Sequence, residues 1–388
     1  MEQRFDVVAL GELLIDFTEN GASAQGNGLF EACPGGAPCN VLAMLRKTGK
    51  TCAFVGKVGN NMFGKLLKDT ILEAGINADS LVMDNAIPTT LAFVKTFPNG
   101  DRDFSFYRKP GADMMLTEDE LPWATIQTAR IFHFGTLSMT HPGVKAATLK
   151  AVALAKQGGA LISFDPNLRP PLWDDMGEAK KAISWGLSQC DILKIADNEL
   201  EFMTGETDFY KGAAILHQQY PNIKVLNVTA GADGSYSFYG EDEPVFVPSC
   251  KLGGVIETTG AGDTFCASVL NFVLENGIEG LSAGNIAVRF AATAEGKASR
   301  WIQLTVPSKA KTPEMSDFTV TQPSVSDGTG SIRCADKFYE YSTDYGQNYR
   351  YIDPHTLLID NLPAWKKVFI RRAECDGFKP SEPLEIEI

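Results

Sequence analysis

Glu257 to Ser268 read ETTGAGDTFCAS, where three small residues, Gly260, Ala261 and Gly262, stand before Asp263 and a run with helical spacing. The first amides of a helix have no partner inside it, and the helix dipole adds partial positive charge there. Such a turn can receive an anion, phosphate above all. Asp263 cannot hold that anion, but it can take a proton from a hydroxyl aimed at it. The other reading of Asp263 is a helix N-cap, a common use of aspartate at such a place.

Further candidates stand just after short apolar runs. Asp16 in GELLIDF follows the first such run, and a carboxylate there suits bidentate bonding to sugar hydroxyls. In ACPGGAPCNVLAML, Gly35 and Gly36 let backbone approach a ligand closely, and Asn40 offers a donor and an acceptor as a helix begins. SFDPNLRPPLW puts Asn167 and Arg169 in a proline-flanked loop, where Arg169 is either a phosphate contact or a surface arginine. NVTAGADGSYSF sets Thr229, Gly231 and Gly234 in a turn between two strands, which could hold a nucleotide or be only a hairpin. Glu199 in DILKIADNELEFMTG lies near a strand end, where it could help position Mg²⁺ through water.

The elements that must position these residues alternate between two periods. FDVVAL, CAFVGKV, IFHF, ALISFD, DILKI and KVLNVT are compact apolar runs that suit strands buried on both faces. Helical patterns such as FGKLLKDTILEAG and PGVKAATLKAVALAKQ lie between them. The fold class expected is therefore α/β, a mostly parallel central sheet with helices on both faces. In that architecture, ligands bind beyond the carboxyl ends of the strands. The helix after GAGD is expected to bury Phe265, Val269, Phe272 and Val273.

Two stretches break the rhythm. TTLAFVKTFPNGDRDFSFYRKPGAD reads as two strands joined by an Asn-Gly turn, a candidate lid over the site. Segments 12–30 and 86–112 together form the lid expected, and its exposed strand edge invites a homodimer. After Val306 the helical period stops, residues 307–316 read as a linker, and 317–388 carry short alternating strands. The expected domains are thus 1–306, the α/β unit, and 317–388, a small all-β sandwich.

Composition excludes several classes. The 388 residues carry 35 Lys plus Arg against 48 Asp plus Glu, a net charge of −13, so nucleic acid is not an expected partner. No apolar run approaches the ~20 residues of a membrane span, so no membrane partner is expected either. The eight cysteines lack CxxC pairs and read as reduced thiols of a cytoplasmic protein.

Taken in order, GELLIDF, PGGAPCNV, VGKVGNNMFG, FYRKPGADMML, FDPNLRPPLW, DILKIADNELEF, VTAGADGS and ETTGAGDTF closely resemble the ribokinase-like (PfkB) carbohydrate kinases, nearest to bacterial fructokinases, over about Phe5 to Arg300. The resemblance implies ATP-dependent phosphorylation of a sugar hydroxyl, with Mg²⁺ as cofactor. It places the base on Asp263 and the anion hole on Gly260, Ala261 and Gly262. Sugar contacts fall on Asp16, Gly35, Gly36 and Asn40, with Arg108 from the lid. Nucleotide contacts fall on Thr229, Gly231 and Gly234, with Arg169 near the transferred phosphate and Glu199 near the metal. The C-terminal segment is weakly similar to fibronectin type III or immunoglobulin-like modules.

The chain departs from the family pattern at four places. Glu257 stands where the family usually has Asp, near a monovalent-cation loop, which leaves K⁺ dependence open. Ala196 replaces a usual Asn, Leu42 replaces a small residue, and Phe290–Leu304, which lines the adenine pocket in the family, is altered. The resulting expectation is a kinase making fructose 6-phosphate. The alternatives are a 2-keto-3-deoxygluconate or other sugar kinase, and a sugar-binding regulatory protein with an impaired nucleotide site.

Overall fold

The computed structural model describes residues 4–96, 102–239, 244–249 and 260–278, and beyond these 285–288, 302–305, 308–309, 314–322, 329–335, 339–343, 348–353, 355–363, 367–372, 378–379 and 384–387. The chain divides into two compact units, 1–282 with 287–302, and 283–286 with 303–388.

The first unit is built on a nine-stranded sheet. Its strands in chain order are β1 (Val7–Leu10), β4 (Cys52–Gly59), β5 (Leu81–Asp84), β8 (Ile131–Gly135), β9 (Leu161–Asp165), β10 (Ile192–Ala196), β11 (Val225–Thr229), β12 (Gly234–Tyr239) and β13 (Val245–Pro248). In space they run β13-β12-β11-β10-β9-β8-β1-β4-β5. All neighbours from β5 to β11 are parallel, and β12 and β13 close one edge antiparallel. From β1 the sheet grows through β4 on one side and β8 on the other, so a topological switch point falls beside β1. In open α/β sheets that crevice is where ligands bind.

Period-two alternation sorts the core into two layers. Val7 and Ala9 enter a cluster with Val41 and Leu45 of α1 (Ala37–Lys47), Leu67 of α2 (Met62–Glu73), and Leu270 and Val273 of α8 (Ala261–Asn276). Val8 and Leu10 face the other way, against Val144 and Ala151 of α4 (Pro142–Gln157) and Ile183 and Leu187 of α5 (Met176–Gln189). Burying each such Leu or Ile contributes roughly 1.5–3 kcal/mol, which fixes the helices that carry the site. Leu42, one of the departures, is fully buried on α1 and fills this core.

A second sheet of four strands, ordered β3-β2-β6-β7, is formed by β2 (Leu14–Ala22), β3 (Gly28–Gly35), β6 (Leu91–Thr96) and β7 (Arg102–Tyr107). β2 pairs parallel with β6 and ties the hairpins of segments 12–30 and 86–112 into one sheet. Phe93 is the hub of its aromatic face, stacked on Phe17 at 4.9 Å and edge-on to Phe30 and Tyr107. The Asn-Gly turn expected between β6 and β7 falls at 97–101, outside the described residues.

The second unit consists largely of antiparallel strands. Phe318–Thr321, Thr329–Cys334 and Leu358–Pro363 form one sheet. Arg350–Tyr351, Tyr339–Ser342, Lys367–Arg372 and Leu384–Glu387 form another. Both contribute to one apolar cluster around Tyr339, Ile332, Val368 and Ile370.

Candidate active site

Helix α8 starts on Gly260, whose left-handed backbone (φ 76°) serves as N-cap, and no side chain caps the helix. Asp263 sits one turn in, so the capping reading of this residue does not hold. Its carboxylate Oδ2 accepts a 2.7 Å hydrogen bond from Asn40 Nδ2 instead. The helix is also turned from the orientation its aromatic residues suggested. Cys266, Ala267, Leu270, Val273 and Leu274 are buried, while Phe265, Val269 and Phe272 are half-buried on the flank. The buried stripe, read back by one turn, begins at Asp263, and that rotation aims the carboxylate inward.

Asn40 is delivered by α1, which Gly36 opens with φ 128°, where a β-carbon would collide with the Glu12 carbonyl. A side chain at Gly35 would collide with Asp16 Oδ2, so the glycine pair and Asp16 are brought together as expected. Burial lifts the Asp16 carboxyl to about 6, and Arg169 pulls it back. Burial also lifts Asp263 to about 6, while Asn40, Lys194 and Arg169 favour its anion and Asp165 opposes it. The exposed Arg169 guanidinium thus acts on both carboxylates and joins β2, α1, α8 and the loop after β9 in one site.

A small, water-sized pocket opens past the ends of β1, β8 and β9, lined among others by Glu12, His133, Thr136, Asp165 and Asn167. Glu12 accepts a 2.9 Å bond from the Ala37 amide, and burial raises its carboxyl to about 7. Composition and motif order did not single out Glu12, His133, Asp165 or Lys194. The available signal was a lone polar residue inside an apolar strand, as in IFHFG and ILKIA.

Five expected site residues are placed differently from the others. Arg108 is buried and committed to Asp113: Nε lies 2.8 Å and Nη2 2.7 Å from Asp113 Oδ2. Its Nη1 bonds Thr140 Oγ1 and its Nη2 the Leu137 carbonyl, which makes it a clamp between β7 and the segment after β8. Glu199 is at the start of α6 (Asp197–Thr204), where Oε1 accepts from the Leu168 amide at 2.6 Å and Oε2 from Ala196 at 2.8 Å. Both carboxylate oxygens are thus engaged by backbone amides, and each keeps one lone pair. Among the described residues no group of three His, Cys, Asp or Glu could hold a metal ion. Thr229, Gly231 and Gly234 sit at the end of β11 and the turn into β12, on the same sheet edge but two strands away from β9.

Glu257 lies outside the described residues. Of Phe290–Leu304 only Ile302–Leu304 is described, within the strand Ile302–Thr305. No helix among the described residues is long and apolar enough to cross a membrane.

The model of the pfkB family carbohydrate kinases matches residues 4–299. A probable fructokinase-2 of Arabidopsis thaliana is 40% identical over 276 residues, covering 70% of this chain and 82% of the relative. Fructokinase-1 of Zea mays is 40% identical over 272 residues, covering 70% and 83%. Among solved structures, a fructokinase with bound ATP from Xylella fastidiosa superimposes with a TM-score of 0.63 at 31% identity, over 70% of this chain and 82% of that one. A putative ribokinase II in complex with ATP and Mg²⁺ from E. coli gives a TM-score of 0.62 at 25% identity, over 69% and 85%.

Proposed function

This chain belongs to the pfkB family of carbohydrate kinases, and on that premise we propose that it is a fructokinase, transferring the γ-phosphoryl group of ATP to a hydroxyl of fructose to give fructose 6-phosphate. The observation that carries the chemistry is an Asp263 carboxylate bonded to Asn40, in the first turn of a helix whose N-cap is Gly260.

In this reading Asp16 and Asn40 hold sugar hydroxyls, and Gly35 and Gly36 keep the backbone close enough for them to do so. Asp263 takes the proton of the hydroxyl that attacks. The amides of Ala261, Gly262 and Asp263, with the Gly260 turn, receive the negative charge that develops, and Arg169 adds a mobile cation to it. Bound ATP supplies the phosphoryl group; Thr229, Gly231 and Gly234 line the edge where its nucleoside would rest. Mg²⁺ would enter held by the phosphates, with Glu199 fixing the Leu168 loop nearby. The four-stranded sheet serves as the lid that excludes water. We also place the protein in the cytoplasm, as the buried thiols Cys39, Cys190 and Cys266 suit a reducing compartment.

One observation favours fructose over a keto acid. A substrate carboxylate would call on Arg108 and Arg169, and Arg108 is already paired with Asp113, which leaves Arg169 alone to meet it. ATP-coupled turnover on a panel of hexoses and 2-keto-3-deoxygluconate tests the reading. Fructose should turn over best; turnover on the keto acid alone would replace the assignment, and sugar binding without ATP turnover would remove it.

A further inference from the structure

One lysine stands inside the apolar strand β10. Ile192 of this strand packs into the cluster that α1 and α8 cover, and strand periodicity puts Lys194 on the same face. Its ammonium is buried, 3.2 Å from Asp165 Oδ2 and 3.3 Å from Oδ1. A β-carbon built on Gly262 would come 3.1 Å from the same nitrogen, so this charge lies directly against the first turn of α8. Asp165 is also buried, and it lines the pocket past β9.

The arrangement poses an electrostatic problem. Asp165 and Asp263 share a desolvated site, and the Asp165 charge opposes the ionisation of Asp263. The groups that face Asp263 are Asn40 from α1, Asp165 and Arg169 from β9 and the loop after it, and Lys194 from β10. Cys266, on its own helix, is a neutral thiol whose burial pushes it up. Burial pulls the Lys194 ammonium down, but Asp165 and then Glu199 outweigh this and keep it charged.

We propose that Lys194 is a positioning residue whose ammonium cancels the Asp165 charge beneath the first turn of α8, so that a base can work beside a second buried carboxylate. The role rests on the reading of Asp263 as that base. Lys194 itself touches Asp165 and the helix start, and acts on the reaction through them.

The test uses the full chain without ligands. The Asp263 carboxyl is followed by carbon-13 NMR through a pH titration, its signal assigned by its loss in Asp263→Asn. Turnover with ATP and fructose is measured over the same pH range. In Lys194→Met, the Asp263 midpoint and the acid limb of kcat both move up by about one pH unit. Adding Asp165→Asn to that variant brings the midpoint back to the wild-type value or below. Asp165→Asn alone, which keeps the lysine, lowers the midpoint, so the proposal stays testable where Lys194→Met does not fold. A midpoint indifferent to these substitutions, with only the melting temperature changed, overturns the proposal and leaves Lys194 a packing residue. Midpoints that move as described in a chain without kinase activity would uphold the coupling and reject the functional reading.

Discussion

Asn40 and Asp263 are separated by 223 residues in sequence and by one 2.7 Å hydrogen bond in space. The bond crosses from α1, which follows the glycine pair, to α8, whose first turn is the proposed anion hole. A donor to an ionised carboxylate contributes about 1.5–3 kcal/mol, so Asn40 holds Asp263 as the anion as well as in place.

Removing that donor should therefore show in the pH profile. Asp263 already sits at about 6 because burial raises it, and Asn40 acts against burial. In Asn40→Ala the acid limb of kcat should rise by about one unit and the plateau should drop. An unchanged acid limb would separate Asn40 from the ionisation of Asp263.

Arg108 and Asp113 form a buried pair, and breaking such a pair by removing one partner costs about 3–5 kcal/mol. Arg108→Met should lower the melting temperature sharply, whereas a sugar-binding arginine would mainly raise KM for the sugar. Thermal unfolding and steady-state kinetics on the same variant distinguish these roles.

Glu12 gives a stability signature of its own. Its carboxyl is raised from 4.5 to about 7 in the fold, chiefly by burial. Below about 4.5 it is protonated in both states and costs nothing; as pH rises to 7 the unfolded chain ionises first and stability is lost. Glu12→Gln keeps an acceptor for the Ala37 amide and removes the titration. Its stability relative to wild type should rise by on the order of 3 kcal/mol between pH 4.5 and 8, read from urea unfolding. Parallel pH curves for the two proteins would contradict this.

Phe30 and Tyr107, both packed on Phe93, leave an exposed apolar patch on one face of the four-stranded sheet. A second copy of the chain is the occupant we propose for it. Light scattering should give a dimer for the wild type and a monomer for Phe30→Glu; a wild-type monomer at working concentration would remove the dimer.

Much of this was legible in the sequence because motif order and strand period are local signals. The compact runs became strands of one sheet, and Asp16, Gly35, Gly36, Asn40 and Asp263 converge. What stayed hidden depends on partners distant in the chain or on rotation about an axis. On its local pattern alone Asp263 could equally be a cap, and only the structure, with Gly260 in that position, removes this reading. The bulky Phe265 and Phe272 misdirected the face of α8, because the smaller Cys266 and Ala267 are what the sheet accommodates. Lys194 and His133 were absorbed into apolar runs, and Arg108 looked available because its pairing with Asp113 cannot be read from FYRKPGAD.

The central claim is that Asp263 is the base of phosphoryl transfer. Single-turnover transfer from ATP to fructose by Asp263→Asn, with fructose binding measured by calorimetry on the same protein, tests it most directly. The account predicts a rate lower by ~10²–10⁴-fold with sugar affinity largely kept. A variant that transfers phosphate at the wild-type rate would contradict it.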